Sequence, residues 1–193
     1  QTSPPPFTRT EARQPCSNYT AERRPLFGDL HVHTAWSFDA SSQDTRNTPA
    51  DAYRFAQGAP MGIQPYDEKD RATRTIQLDR PLDFTAVTDH AEFLGEVHMC
   101  TTPGEPGYWH PVCLIQRHIP RYTFWTFGAA GLSYKHRWGL CGDDNTICTD
   151  KAADMWRQIQ QAAEDAYDRS SDCSFTSFVG YEWTAGGETG ENL

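Results

Sequence analysis

The chain has 193 residues, which is enough for one domain with a sizeable hydrophobic core. Its formal net charge of -9, from 26 acidic and 17 basic residues, argues against a nucleic-acid-binding surface, because such a surface normally carries a basic patch. No run of about eighteen apolar residues occurs, so the sequence predicts no transmembrane helix and no membrane partner.

The amino-terminal part of the chain predicts a surface segment, a strand and a loop. Residues 1–25 are rich in proline, threonine, arginine and serine and predict an extended segment on the surface. Leu30 and Val32 alternate with polar residues, which predicts a first core strand over 26–33, since strand side chains alternate between two faces. A polar loop is expected over 34–48.

A helix is predicted to follow this loop. Thr48 can cap its first turn, Pro49 suits the first helical position, and Asp51 can bond back to the cap. Gly58 is expected to end the helix. Residues 59–80 are predicted to be polar and irregular, with a short strand close to their carboxyl end.

The remaining chain predicts two more strands and two helices. A second core strand is predicted over 82–88 and a short helix over 91–97. Residues 98–149 have no clean period and are interpreted as an insertion on one face, with one helical turn predicted over 112–118. An amphipathic helix over 150–169 precedes a third core strand over 175–181. This order of elements is typical of an α/β fold with a parallel sheet.

The six cysteines form no C-x-x-C pair, which argues against a structural zinc ribbon. An even number in a loop-rich chain predicts disulfides and an oxidising compartment, here the periplasm or the exterior of the cell. Closeness in sequence favours the pairs Cys100–Cys113 and Cys141–Cys148. The alternative is six free, buried thiols in a cytosolic protein.

Candidate metal ligands stand at the carboxyl end of each predicted strand. His31 and His33 end the first strand, Asp89 and His90 follow the second, and Glu182 ends the third. In parallel α/β folds the carboxyl ends of the strands form the active site. Neutral imidazole and carboxylate are usual ligands of zinc, iron and manganese, so the sequence predicts a polynuclear metal site. The alternative is a pair of surface histidines on an edge strand.

The same residues carry a resemblance to known proteins. The chain resembles the PHP superfamily, the polymerase and histidinol phosphatase domains, in the segments GDLHVHT (28–34), SFDA (37–40) and VTDH (87–90). It is similar to a more specific bacterial branch, catalogued only as a domain of unknown function, in the segments DAYRFA (51–56), PLDF (81–84), AEFLG (91–95) and GYEW (180–183).

The resemblance implies an α/β fold, a distorted TIM-like barrel of about seven βα units, of which this chain would supply the first strands and a disulfide-rich insertion. Residues 26–193 would then form an incomplete metal-binding domain, because a full barrel needs about 250 residues. We expect the remaining ligands to come from the carboxy-terminal remainder of the same protein or from another chain.

The resemblance also implies a ligand set for two or three divalent ions of zinc, manganese or iron. Carried over by position, His31 and His33 would bind the first metal. Glu182 would bridge the first and the second. Asp39 and His90 would hold a third.

Two further acidic residues have candidate catalytic roles. Asp89 is expected to orient a ligand from behind rather than to bind metal, as such carboxylates often do. Glu92 could do the same, or could be an acid favoured by the dipole at a helix start.

The implied activity is hydrolysis of a small phosphate mono- or diester by a hydroxide that the metals generate from water. One alternative is an amidohydrolase that cleaves C–N bonds, although no lysine stands at the end of the second or third strand, where such enzymes commonly add one. The other alternative is a non-catalytic metal-binding module.

Overall fold

Residues 14–126 and 139–183 are described by the computed structural model of the chain. These residues form a mixed α/β fold with a small parallel sheet and a separate antiparallel sheet. In chain order the elements are β1 (Gly28–Val32), α1 (Phe38–Ser42), α2 (Pro49–Ala56), β2 (Met61–Tyr66), β3 (Ala72–Ile76), β4 (Phe84–Val87), α3 (Leu94–Thr101), α4 (Pro111–His118), α5 (Pro120–Thr126), α6 (Thr146–Ala166) and β5 (Thr176–Val179).

The parallel sheet has the strand order β1-β4-β5, and it confirms the predicted parallel arrangement. The middle strand is β4, whose Phe84 pairs with Gly28 on one side and with Thr176 on the other. Because the three strands are parallel, their carboxyl ends meet at one edge of the sheet. That edge carries the predicted ligands.

Each strand of this sheet is shorter than predicted, and only β4 is buried as a core strand, because β1 is mostly exposed and β5 is half-buried to exposed. The first begins at Gly28 rather than at residue 26, and the third ends at Val179 rather than at residue 181. Gly28 lies so close to β4 that a Cβ atom there would sit 2.3 Å from the Phe84 carbonyl oxygen. Glycine therefore permits the first pairing between β1 and β4.

The expectation of an irregular segment over 59–80 is wrong, although β3 overlaps the short strand predicted near 75–78. β2 and β3 form an antiparallel hairpin, in which Gly62 pairs with Thr75. The sequence concealed this hairpin because Pro65 interrupts the pattern of β2 and every residue of β3 is exposed. A strand that faces water on both sides shows no alternation of apolar and polar residues.

Helices α2 and α6 pack against the parallel sheet. Tyr53 and Ala56 of α2 form a buried cluster with Val87 of β4, Ala163 of α6 and Phe175. The predicted amphipathic pattern of α6 is confirmed, since its apolar residues Met155, Ile159 and Ala163 are buried. The helix runs over Thr146–Ala166 rather than over 150–169. None of the helices in the described residues is both long enough and apolar enough to cross a membrane.

The segment 98–149 is more ordered than its sequence predicts. Over its described residues it contains the end of α3, all of α4 and α5, and the start of α6. It also contributes much of a buried cluster, whose members are Phe93, Val97, Met99, Cys100, Cys113, Leu140, Cys141 and Cys148. Helix α4 confirms the helical turn predicted over 112–118, whereas α5 was not evident from the sequence.

Three disulfides are present, and two of them confirm the predicted pairs. Cys100–Cys113 joins α3 to α4, and Cys141–Cys148 closes the turn that leads into α6. The third bond, Cys16–Cys173, joins the amino-terminal segment to the loop before β5. With these three bonds no described cysteine is free, which rules out the alternative of six free thiols.

The predicted extended segment over 1–25 falls partly outside the described residues. Its described part, residues 14–25, contains neither helix nor strand. Beside the disulfide, the backbone amide of Ser17 donates a hydrogen bond to the Ser171 carbonyl oxygen at 2.8 Å. These contacts hold the segment against the loop before β5.

The predicted capping box of α2 is confirmed. The backbone amide of Asp51 donates to Thr48 Oγ1, and the Asp51 carboxylate accepts from the Thr48 backbone amide at 2.8 Å. We expect Thr48→Ala to lower the free energy of unfolding by about 1 kcal/mol, because one end of the box is removed. Urea titration measures this change. Thr45→Ala is the control, since the Thr45 side chain makes no hydrogen bond to a described residue, and an equal loss there would contradict the account.

Candidate metal centre

The two histidines of the first strand point at one carboxylate. His31 lies in β1 and His33 directly after it, so their side chains share a face. Nε2 of His31 and Nε2 of His33 each lie 2.8 Å from Oε2 of Glu182. The three side chains therefore converge on one point at the edge of the sheet.

Glu182 is positioned by a continuation of the parallel pairing beyond β5. Its backbone amide donates to the Asp89 carbonyl oxygen at 3.0 Å, and Glu182 forms an isolated parallel bridge with His90. Its second carboxylate oxygen, Oε1, lies 3.8 Å from His90 Nε2. Burial would raise the pKa of the Glu182 carboxyl, but attraction to His90 and hydrogen bonds from the two β1 histidines outweigh burial and lower it.

Asp39 lies in the first turn of α1, within the segment predicted as a loop. Its Oδ2 is 2.9 Å from His33 Nδ1 and 3.8 Å from His90 Nε2. Its Oδ1 accepts hydrogen bonds from Ser37 Oγ at 2.5 Å and from the Ala40 amide at 2.7 Å. Burial would raise the pKa of Asp39, but these hydrogen bonds and the nearby His33 lower it.

His90 completes the cluster from the end of β4. Its ring centroid lies 4.9 Å from that of His33 and 5.0 Å from that of Phe38. Nδ1, the nitrogen turned away from the other ligands, is 3.6 Å from Oε2 of the buried Glu92. Burial would lower the pKa of His90, but the surrounding carboxylates, Glu92 first among them, raise it. Glu92 thus lies behind His90.

Asp89 lies beneath the cluster and is 0% exposed. Its carboxylate accepts from the backbone amide of Thr34 at 2.5 Å and from Thr34 Oγ1 at 2.7 Å. Burial raises its pKa to about 6, although the hydrogen bonds from Thr34 oppose that shift. Asp89 therefore fixes the residue that follows His33, and its hydrogen bonds go to Thr34.

The structure brings all five predicted ligands together in two adjacent groups. One group is His31, His33 and Glu182, and the other is His33, Asp39 and His90. Within each group the possible ligand atoms lie within 4.8 Å of one another. Imidazole nitrogens and carboxylate oxygens match the preferences of zinc, iron and manganese, so the donor set fits divalent transition metals.

A third group of possible ligand residues cannot serve as a metal site in this state. Glu96, Cys141 and Cys148 are close together and fully buried. The two cysteines are bonded to each other, and a disulfide sulfur lacks the negative charge of a thiolate ligand. The ligand cluster at the sheet edge is therefore the stronger metal candidate.

Comparison with known proteins adds one finding to this geometry. The sequence model of the family described as "Protein of unknown function (DUF3604)" matches residues 20–193. The chain belongs to the DUF3604 family. No curated protein and no solved structure matches it. The range that matches DUF3604 contains every predicted ligand.

Two hydroxyl residues of this DUF3604 chain support the cluster and were not predicted from the sequence. Thr34 is held by Asp89, as described above. Ser37 Oγ donates to Asp39 and accepts a hydrogen bond from the His90 backbone amide at 3.1 Å. Ser37 thus connects the loop after β1 to the end of β4. Both residues lie between the predicted ligands His33 and Asp39 in the sequence. That position could have indicated their role, since residues that join two ligands are well placed to orient them.

Proposed function

We propose that this chain is a metal-dependent hydrolase of small phosphate mono- or diesters. The observation that supports this most directly is the orientation of Glu182. One of its oxygens faces His31 and His33, and the other faces His90. A carboxylate shared in this way between two ligand groups is suited to a site with two metal ions.

The metals that the donor set fits are zinc, manganese and iron. When bound, such ions lower the pKa of water towards neutrality and offset negative charge on phosphoryl oxygens. His31, His33 and Glu182 would hold one ion, while Asp39 and His90 would hold its neighbour.

The protein's own groups supply position and rigidity. Asp89 and Thr34 fix the chain just after His33, and Ser37 fixes Asp39 and the backbone of His90. A site whose ligands are held before the substrate arrives loses little free energy in reorganisation during the reaction.

The proposal extends to the fold and the location of the protein. The parallel order β1-β4-β5, with ligands at the carboxyl ends, is compatible with the first strands of a PHP-like barrel. The three disulfides support a secreted or periplasmic protein, since disulfides persist in oxidising compartments. The partner we propose is a small phosphate ester.

The test uses protein stripped of metal with a chelator and reloaded with Mn²⁺ or Zn²⁺. We expect reloading to restore hydrolysis of 4-nitrophenyl phosphate or bis(4-nitrophenyl) phosphate. His33→Ala is expected to lower both the affinity for metal and the rate of hydrolysis by more than about 100-fold, because His33 belongs to both ligand groups. The control is His118→Ala, a change at an exposed histidine of α4.

The outcomes separate the competing functions. An unchanged metal content in His33→Ala would contradict the ligand assignment. Metal-dependent cleavage of 4-nitroacetanilide without cleavage of either phosphate ester would favour an amidohydrolase. Metal binding without hydrolysis of any of these compounds would favour a non-catalytic module.

A further inference from the structure

An open cavity of about 740 Å³ lies between the loop after β1 and helix α4. Trp36 and Ser41 line it on one side, and Tyr108, Trp109 and Arg117 line it on the other. None of these residues belongs to the two ligand groups of the metal centre. The cavity is therefore a separate feature of the surface.

Arg117 has no acidic partner among residues 14–126 and 139–183. One of its terminal nitrogens, Nη1, donates to the carbonyl oxygens of Cys100 at 2.6 Å and Tyr108 at 2.7 Å. The guanidinium carbon lies 3.7 Å from the centre of the Tyr108 ring. These contacts fix the orientation of a half-buried cation while most of its N–H donors have no partner in the described residues.

The other arginine of the cavity differs in this respect. Arg46 donates to Asp44 and to Asp70, each at 2.8 Å, so two carboxylates more than balance its charge. Arg117 is consequently the arginine of this cavity whose guanidinium is not paired with a described carboxylate and can bind an anionic ligand.

An exposed aromatic surface lies beside this cation. Trp109 is 77% exposed, and its ring centre is 5.9 Å from the guanidinium carbon of Arg117. The Tyr108 and Trp109 rings meet edge to face at 5.1 Å. A flat apolar ring can stack on such a surface while a charge at its end reaches the arginine.

We propose that this cavity binds a small organic anion that carries an oxyanion on a flat ring. Arg117 pairs with the oxyanion through its unpartnered N–H groups, and Trp109 contacts the ring. Carboxylate and phosphate share the planar or forked oxygen geometry that guanidinium recognises. The proposal does not depend on the metal centre.

Calorimetric titration with benzoate tests this proposal on protein kept free of metal with a chelator. Benzamide has the same ring without the charge, and acetate has the charge without the ring. We expect benzoate to bind at least about tenfold more tightly than either, since both halves of the site contribute. Phenyl phosphate, titrated in parallel, shows whether phosphate is preferred to carboxylate. Equal binding of benzoate and benzamide, or of benzoate and acetate, would overturn the proposal.

Two variants test whether Arg117 and Trp109 form the binding site. Arg117→Gln is expected to weaken benzoate binding about tenfold or more, and Trp109→Ala about three- to tenfold. Arg121→Gln removes the same charge from an exposed position on α5 and is expected to leave binding unchanged. If Arg117→Gln fails to fold, Trp109→Ala decides, because its side chain faces solvent. Unchanged affinity in either folded variant would overturn the proposal.

Discussion

Glu182→Gln is expected to lower the affinity for Zn²⁺ or Mn²⁺ by at least about 100-fold, since losing even a residue behind a ligand costs about 10- to 100-fold. Glu182 faces both ligand groups, with 2.8 Å contacts to His31 and His33 and a 3.8 Å approach to His90. The amide keeps the size of the side chain but loses its charge and one acceptor oxygen. Metal titration by calorimetry measures the affinity and the stoichiometry together.

The matched control is Glu164→Gln, which makes the same chemical change on the outer side of α6. The Glu164 side chain is 56% exposed and pairs with Arg169, and neither residue belongs to a ligand group. We expect its metal affinity to equal that of the wild type. If Glu182→Gln retained wild-type affinity and stoichiometry, the shared carboxylate could not be a metal ligand.

Replacement of Cys100 and Cys113 together by alanine is expected to lower the free energy of unfolding by about 3 kcal/mol. Their bond joins α3 to α4 across 13 residues, and both sulfurs are 0% exposed within the cluster around Phe93 and Met99. The loss combines greater freedom of the unfolded chain with weaker packing in the folded one. Urea unfolding of the double variant measures it.

Two further measurements test the prediction for Cys100 and Cys113. Wild-type protein treated with a reductant should lose at least as much stability as the double variant, because all three disulfides are then open. Metal affinity of the folded double variant should be unchanged, since neither cysteine belongs to the ligand cluster. A loss of stability below about 1 kcal/mol would show that α3 and α4 pack adequately without the bond.

The candidate site could be predicted largely because its ligands stand where parallel strands end. His31, His90 and Glu182 are separated by long stretches of chain, yet the carboxyl ends of β1, β4 and β5 bring them together. Asp39 was predicted as a ligand, but its helix was not, because α1 is only five residues long. Hydrogen bonds from Ser37 and Ala40, rather than a periodic pattern, fix its carboxylate.

The fold was less evident from the sequence where a side chain has both an apolar ring and a polar group, as tyrosine does. The sequence predicts a buried stripe of Ala52, Phe55 and Ala56 on α2, and Tyr53 is not part of it. In the structure the Tyr53 hydroxyl donates to the Phe178 carbonyl oxygen at 3.0 Å and accepts from the Val87 amide at 3.3 Å. A tyrosine can thus be almost fully buried when its hydroxyl connects two strands.

The segment between α3 and α6 shows a second limit of sequence patterns. Short helices such as α5, with seven residues, give little room for a repeat at three and four positions. Disulfides then supply cohesion that a longer apolar stripe would otherwise provide. The two cysteine pairs could be predicted from their closeness in sequence, whereas Cys16–Cys173, with a separation of 157 residues, could not.

Anomalous scattering from crystals of the zinc- or manganese-loaded protein tests the central claim most directly. The account predicts one peak among His31, His33 and Glu182 and a second beside Asp39 and His90. Absence of both peaks in crystals whose metal content has been verified, or metal bound only elsewhere on the chain, would contradict it.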